Sequence, residues 1–242
     1  MAKPEVDIFI PCFIDQLFPD TAFNMIKVLE KAGAKVYYNE AQTCCGQMAF
    51  NSGYWDDARK LGIKFIKDFS RGRPIVGPTA SCTGYVKNYF DELFYNSAYH
   101  NEYKHLQRNI FEVTDYLVNI LKVQDLGAVF EHKVTYHDSC AALREYGLKS
   151  EARQLLSHVR GLELLEMQDR ETCCGFGGTF SVKFEPISTA MAEQKVQHAL
   201  DTGAEYIVST DSSCLMHQAG YISKHKLPLK VAHIVDVLAS GI

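Results

Sequence analysis

The arrangement of the cysteines is the feature that most constrains what this chain can fold into. Eight of its 242 residues are cysteine, and their spacings read C-x31-CCG-x35-C followed by C-x32-CCG-x38-C. The first set is Cys12, Cys44, Cys45 and Cys82, and the second is Cys140, Cys173, Cys174 and Cys214. Scattered core cysteines would not reproduce a vicinal pair, its following glycine and both flanking intervals, so the pattern indicates a specific site.

The residues around the cysteines repeat as well. Thr43-Cys44-Cys45-Gly46 corresponds to Thr172-Cys173-Cys174-Gly175, and Ser81-Cys82 corresponds to Ser213-Cys214. Self-similarity at a fixed offset is the signature of an internal duplication. We therefore predict two similar domains, residues 1–128 and 129–242.

Within each half, apolar strand patterns alternate with segments of helical periodicity. In the first half the predicted strands are 6–10, 35–38 and 74–77, and the predicted helices are 20–32, 54–69 and 81–95. In the second half the strands are 133–137, 162–166 and 205–209, and the helices are 149–159, 187–201 and 213–224. This alternation predicts an α/β fold of two tandem, pseudo-symmetric Rossmann-like domains with parallel sheets flanked by helices. Each cysteine then falls just after a strand or at a helix start, the edge at which α/β sheets bind ligands.

Composition and charge limit the kinds of chemistry that the thiols can serve. The net charge is −4 and no apolar run approaches the roughly 18 residues of a membrane span, so neither nucleic acid nor a membrane is an expected partner. The segment from Met1 to Asp7 lacks the apolar stretch of a signal peptide, from which we expect a soluble cytoplasmic protein. In a reducing compartment, cysteines serve metal or redox chemistry more often than disulfides.

Four thiolates satisfy either a zinc ion or an iron–sulfur cluster. Two adjacent cysteines on one ion would close a strained ring, whereas a cluster offers a different iron to each, so the vicinal pair favours a cluster. Gly46 and Gly175 let the backbone turn directly after each pair. Eight buried apolar cysteines, or a redox-active vicinal disulfide at each CCG, are the remaining alternatives.

Two further features of the second half are weaker candidates for the site. His137 and Asp138 lie just before Cys140 and could tune or join it, although a histidine ending a strand more often has a structural role. The run from Gly175 to Gly178 could present backbone N–H groups to cluster sulfur. Because Phe180 stands where G-x-G-x-x-G requires glycine, a dinucleotide site is not predicted.

These motifs resemble those of the CCG cysteine-rich domain family of iron–sulfur proteins, which includes a component of heterodisulfide reductase. Residues 42–47 (QTCCGQ) and 169–183 (DRETCCGFGGTFSVK) are most similar to its lactate-utilization branch. The resemblance spans nearly the whole chain. It implies a cytoplasmic component of a three-protein L-lactate oxidation system, passing electrons alongside a second iron–sulfur subunit and a third subunit.

The resemblance also implies the ligands and the cofactor. All eight cysteines become cofactor and metal ligands, with no catalytic residue assigned. The wider family's repeat ends in C-x-x-C, but Thr79 and Asp211 replace the first cysteine of that pair here. Four cysteines per half imply two ordinary [4Fe–4S] clusters, with Asp211 as a possible extra ligand. A heterodisulfide-reductase-like catalytic subunit and a zinc-stabilised interaction scaffold stay open as alternatives.

Overall fold

A computed structural model describes residues 3–242. Met1 and Ala2, which belong to the chain start used above to predict the absence of a leader, lie outside the described residues. No helix from residue 3 onward has both the length and the apolar composition needed to cross a membrane.

The first half alternates strands and helices from its beginning to its end. In chain order the elements are β1 (Glu5–Ile8), α1 (Cys12–Leu17), α2 (Pro19–Lys31), β2 (Lys35–Tyr38), α3 (Gln47–Asn51), α4 (Trp55–Asp68), β3 (Ile75–Gly77), α5 (Ala80–Phe94), α6 (His100–Asn109), β4 (Ile110–Glu112) and α7 (Val113–Asp115). A π-helical turn, Tyr116–Ile120, follows α7 directly.

The second half repeats this plan. Its elements are β5 (Lys133–Tyr136), α8 (Glu151–Leu156), β6 (Glu163–Leu164), α9 (Phe180–Lys183), α10 (Glu185–Asp201), β7 (Tyr206–Ser209), α11 (Ser212–His225), β8 (Lys230–His233) and α12 (Ile234–Leu238). A second π-helical turn, Ala141–Tyr146, takes the place of α1 directly after Cys140.

Each half builds one four-stranded, fully parallel sheet. The strand orders are β2-β1-β3-β4 and β6-β5-β7-β8, so the two sheets have the same topology. Equivalent registers confirm this, since Phe9 donates its backbone N–H to Val76 and His137 donates its own to Val208, both at 2.9 Å. The predicted α/β class and the two similar domains are therefore confirmed, and the alternating sequence pattern is explained by parallel strands that each need a helical return.

The largest buried cluster belongs to both halves. It contains Val6 and Ile8 of β1, Val134 and Tyr136 of β5, and the apolar faces of α2, α8 and α12. Further apolar clusters cover the outer faces of the two sheets, one within each half. The central core thus joins the halves largely through helices packed against one another, α12 on α2 and α7 on α8. The predicted boundary at residue 128 stays a prediction.

Candidate metal centre

All eight cysteines border one cleft between the two halves. The cleft has a volume of about 160 Å³, and each cysteine of both sets contributes to its wall. They reach it because each follows a strand or starts a helix at the carboxyl edge of its sheet, as predicted. Cys12 is the first residue of α1, while Cys82 and Cys214 lie in the first turns of α5 and α11. The sequence did not predict that the two edges would face each other.

The cysteines of each set differ in exposure but are all free thiols. Cys45, Cys174 and Cys214 are buried, and the other five are partly exposed. In the first set the sulfur atoms of Cys12 and Cys44 lie 3.9 Å apart. Two sulfurs bound to one tetrahedral ion, with bonds of about 2.3 Å, would lie about 3.8 Å apart. These two sulfur atoms are thus close enough to share one metal ion.

The first cysteine of each CCG pair is the natural thiolate. Gly46 donates its backbone N–H to the sulfur of Cys44, and Gly175 donates to that of Cys173, both at 3.4 Å. The thiols of Cys12 and then Cys45 also donate hydrogen bonds to the Cys44 sulfur. These bonds hold the pKa of Cys44 far below its usual range. The Cys140 thiol, followed by that of Cys174, does the same to the pKa of Cys173.

The remaining buried thiols resist ionisation. The pKa of Cys45 is raised by hydrogen bonds with Cys44 and then Cys82, and next by burial. The pKa of Cys174 is raised in the same way by Cys173, Cys214 and burial. Several thiolates cannot coexist in so small a volume without positive charge beside them. Sulfur donors that converge here and need a compensating cation fit an iron–sulfur cluster or a metal ion.

Both glycines of the CCG motifs are required by the backbone. Gly46 has φ +96° and Gly175 has φ +92°, a region in which side chains are strained. A Cβ on Gly175 would lie 2.7 Å from the carbonyl oxygen of Ser188, and one on Gly46 would lie 3.3 Å from that of Ala58. The absence of a side chain at Gly46 therefore lets α4 pack close to the first cysteine pair, and at Gly175 it lets α10 pack close to the second.

The glycine run after the second CCG pair also lies at the cleft, where Phe176, Gly177 and Gly178 form part of the wall. The ring of Phe176 packs edge-on against Phe13 of the first half, with centroids 5.9 Å apart. This loop therefore helps to close the cleft, and its proposed hydrogen bonds to cluster sulfur stay a prediction.

Asp211 lies between the halves. Its carboxylate accepts hydrogen bonds from the backbone N–H and the hydroxyl of Ser81, both at 3.2 Å, and from the hydroxyl of Ser213 at 2.9 Å. The side chain is 1% exposed, and burial raises its pKa. It borders the cleft beside the cysteines, and its role as an extra ligand stays a prediction.

His137 is buried against the second set. Its ligand atoms and those of Cys174 and Cys214 all lie within 4.8 Å of one another. Neither ring nitrogen forms a hydrogen bond of full geometry with a described residue, and the backbone of Arg170 is close enough to act on the ring. Burial, and next the charge of Lys195, lowers the pKa of His137 to about 3, which leaves a neutral imidazole. The neighbouring Asp138 is occupied by Arg153, whose guanidinium donates two hydrogen bonds of 2.9 and 2.8 Å to its carboxylate.

Lys195 was not singled out from the sequence. Its side chain lies in α10 and is 2% exposed, with the ammonium donating to the backbone carbonyl of Asp169. The sequence does place this lysine on the same helix face as Ala192, Val196 and Ala199. A lysine on an apolar, core-facing side of a helix is the pattern that could have identified it.

Comparison with known proteins identifies the family. The CCG cysteine-rich domain matches twice, at residues 6–87 and 134–218, which are the two segments that carry the cysteine sets. The chain belongs to the CCG cysteine-rich domain family. Its match to one domain in each half confirms the predicted resemblance and agrees with the repeated sheet topology.

Full-length relatives agree with this assignment. Lactate utilization protein A of Halalkalibacterium halodurans is 40% identical over 234 residues, covering 97% of this chain and 96% of the relative. Lactate utilization protein A 2 of Bacillus cereus is 37% identical over 239 residues, covering 98% and 99%. A crystal structure of a hypothetical protein from Helicobacter pylori shares the fold, with a TM-score of 0.63 at 10% identity. The structural match covers 100% of this chain and 51% of the Helicobacter pylori protein.

Proposed function

We propose that this protein is an iron–sulfur electron-transfer component of an L-lactate oxidation system, with one cluster at each cysteine set. The observation that carries the proposal is the convergence of all eight cysteines on one cleft. Two redox centres that border the same cleft would be near neighbours, an arrangement that favours electron exchange between them. A fold with two sulfur sites and no assigned catalytic residue suits a carrier better than an enzyme.

The residues that would hold the clusters are the two cysteine sets, and a bound cluster would supply one-electron oxidation and reduction. Cys44 and Cys173, whose pKa values are lowered by neighbouring thiols, present thiolates before metal arrives. Aromatic and thioether side chains of Phe13, Met48 and Phe176 line the same cleft and limit access of water to it. A less polar surrounding of this kind helps set the potential of a cluster.

Lactate enters the proposal from the relatives named lactate utilization protein A. Oxidation of lactate to pyruvate releases two electrons and two protons, and a one-electron carrier would accept those electrons singly. We propose that a second iron–sulfur subunit and a third subunit complete the system in the cytoplasm. Apolar side chains exposed on and after α9, Val182 at 82% and Phe184 at 51%, follow the second CCG loop and support contact with such a partner.

The decisive experiment is anaerobic purification followed by iron and acid-labile sulfide analysis. We expect about eight irons and eight sulfides per chain for two [4Fe–4S] clusters. The variants Cys44→Ser/Cys45→Ser and Cys173→Ser/Cys174→Ser should each lose half of that iron. About four irons or fewer per chain after reconstitution would contradict one [4Fe–4S] cluster at each set, and fewer than about two would contradict any cluster.

A zinc-stabilised interaction scaffold is a second candidate, and the 3.9 Å spacing between the Cys12 and Cys44 sulfurs favours it. That spacing matches two thiolates on one tetrahedral ion, whereas in a cluster each thiolate takes a separate iron. Zinc at about one equivalent per half, in a colourless protein that takes up no iron anaerobically, would establish this function instead. A brown protein that bleaches in air would exclude zinc alone.

A further inference from the structure

The duplication allows each residue near one cysteine set to be compared with its counterpart near the other. Phe9 and His137 are counterparts, because their backbone N–H groups donate to Val76 and Val208 at the same point of the two sheets. The carbonyls of Ala58 and Ser188 close on the two CCG glycines in the same way. Seven residues further along each helix, Phe65 of α4 is therefore the counterpart of Lys195 of α10.

These two pairs differ completely in chemistry. In the first half Phe9 and Phe65 pack edge-on, with ring centroids 4.8 Å apart, inside an apolar cluster that includes Cys45. In the second half an imidazole and an ammonium occupy the same places. The fold therefore does not require a polar residue here, since the first half forms the same structure with two aromatic rings.

The His137 ring has no hydrogen bond of full geometry among the described residues, and only the backbone of Arg170 is close enough to act as a weak partner. The ring is fully buried, and burying a polar group without a hydrogen bond of full geometry is unfavourable. Among the described residues, it forms with Cys174 and Cys214 the one trio of ligand atoms close enough to share a metal, and the first half has no such trio. A neutral imidazole beside two thiols is a ready nitrogen donor for iron or zinc.

We propose that His137 supplies a nitrogen ligand to the metal or cluster held by the second cysteine set, so that this site is of mixed sulfur and nitrogen type while the first is sulfur only. The inference rests on the proposed function to the extent that a metal must occupy the second set. A nitrogen ligand accounts for the buried ring, because the backbone of Arg170 can satisfy at most one ring nitrogen and coordination would satisfy the other.

The two sites would then differ in reduction potential. An imidazole that binds one iron in place of a cysteine thiolate of the second set brings no negative charge, and the Lys195 ammonium is close enough for its charge to act on Cys173 and Cys174. Both features raise the potential of a cluster. The first set faces Phe9 and Phe65 and has neither. Electrons would therefore pass across the cleft from the first site to the second.

Pulsed electron paramagnetic resonance of the reduced full-length protein tests the ligand directly. The variant Cys44→Ser/Cys45→Ser isolates the second site, and Cys173→Ser/Cys174→Ser isolates the first. Protein labelled with ¹⁵N-histidine should show a strong nitrogen coupling at the second site and none at the first. The coupling should disappear in His137→Phe and His137→Gln but persist in His217→Gln, a histidine that packs on the same loop and is hydrogen-bonded to Ser188.

The outcomes separate the two proposals. Iron at both sites with no strong histidine coupling at the second, or a coupling that survives both His137 variants, would overturn the ligand assignment and leave the electron-transfer proposal standing. Absence of iron from both sites would overturn the proposed function, whereas zinc bound at the second set with only sulfur ligands in its X-ray absorption spectrum would overturn the ligand assignment. Redox titration of the two single-site variants gives an independent check, with the second site expected to be reduced at the higher potential and His137→Phe expected to lower it.

Discussion

At the scale of single residues, Glu112 links folding to pH. It ends β4, is fully buried, and its Oε2 accepts backbone hydrogen bonds from Thr114 at 2.7 Å and Asp115 at 3.2 Å. Its other oxygen has no partner among the described residues. Burial raises its pKa from 4.5 to about 8, so the native protein holds a proton there at neutral pH that the unfolded chain releases.

The variant Glu112→Gln should remove that pH dependence. Between pH 4.5 and 8 the native state binds more protons at this carboxyl than the unfolded state, so its contribution to stability is present at low pH and is lost as the pH rises. A glutamine keeps an acceptor oxygen and cannot ionise. We expect the variant to gain about 3 kcal/mol over the parent at pH 7 and almost nothing near pH 4.5. Urea unfolding of the apoprotein across this range measures it.

The matched control is Glu102→Gln, which makes the same chemical change at an exposed position of α6. Its unfolding free energy should follow the parent at every pH. If the curves for Glu112→Gln and the parent ran parallel between pH 5 and 8, the buried carboxyl would not be the cause of the dependence.

The CCG glycines give a graded test of backbone constraint. Gly147→Ala places a methyl group at φ +95° in open space and should cost about 1–2 kcal/mol from backbone strain alone. Gly46→Ala adds a tight contact at 3.3 Å, and Gly175→Ala adds one at 2.7 Å with backbone that cannot yield cheaply. We expect losses of unfolding free energy in the order Gly147, Gly46, Gly175, with the last above about 3 kcal/mol. Urea unfolding checks the order, and equal losses at all three positions would contradict it.

At the scale of elements, Asp211 connects the first turns of two helices. It stands at the N-terminus of α11, yet its carboxylate accepts the backbone N–H of Ser81 in α5 of the other half. Acceptors at a helix N-terminus satisfy donors that the helix cannot, and favour a negative charge. The contact thus ties the two helices that carry Cys82 and Cys214 at the cleft.

Asp211→Ala should therefore loosen the joint between the halves. We expect a loss of about 1–2 kcal/mol in unfolding free energy of the apoprotein, because the partly buried Ser81 donors lose their acceptor. Thr79→Ala is the control, since Thr79 holds the corresponding position in the first half and its hydroxyl has no partner among residues 3–242. Iron content of the folded protein decides whether Asp211 is also a ligand: a structural role leaves it unchanged, and a ligand role lowers it at the second site only.

The elements that the sequence predicts well are those with long, regular patterns. The helix predicted over 54–69 is α4 at Trp55–Asp68, and that predicted over 187–201 is α10 at Glu185–Asp201. The last strand of each sheet was missed. β4 has three residues and joins α6 and α7 without a glycine or proline break. β8 continues directly into α12, so its apolar residues and those of the helix form one stretch with no boundary in the sequence.

The candidate site shows the same division. Repeated spacing identified every cysteine and placed each at the carboxyl edge of a sheet, because that depends on local order along the chain. It could not show that both edges face one cleft, which depends on how the sheets pack. Lys195 lies 58 residues beyond His137, and only the folded α10 brings them together.

At the scale of the whole molecule, the halves depend on each other. The central core draws side chains from β1 and β5 alike, and α12 at the end of the chain packs on α2 near its start. Thr21 and Asn24 of α2 donate hydrogen bonds to the Asp236 carboxylate of α12, both at 2.9 Å. Separating the halves would therefore expose a continuous apolar face on each, together with donors that lose their acceptors.

Cutting the chain between the predicted domains tests this dependence. We expect residues 1–128 and 129–242, expressed separately, to be insoluble or to lack a cooperative unfolding transition, because each alone would expose its share of the central core. Expressed together, they should associate into a soluble heterodimer, since the interface is a divided core and the cleft reforms with it. Analytical ultracentrifugation and thermal unfolding monitored by circular dichroism measure both states. A half that folds cooperatively alone would show that its sheet and outer helices suffice, and that the central core joins two domains that are stable without it.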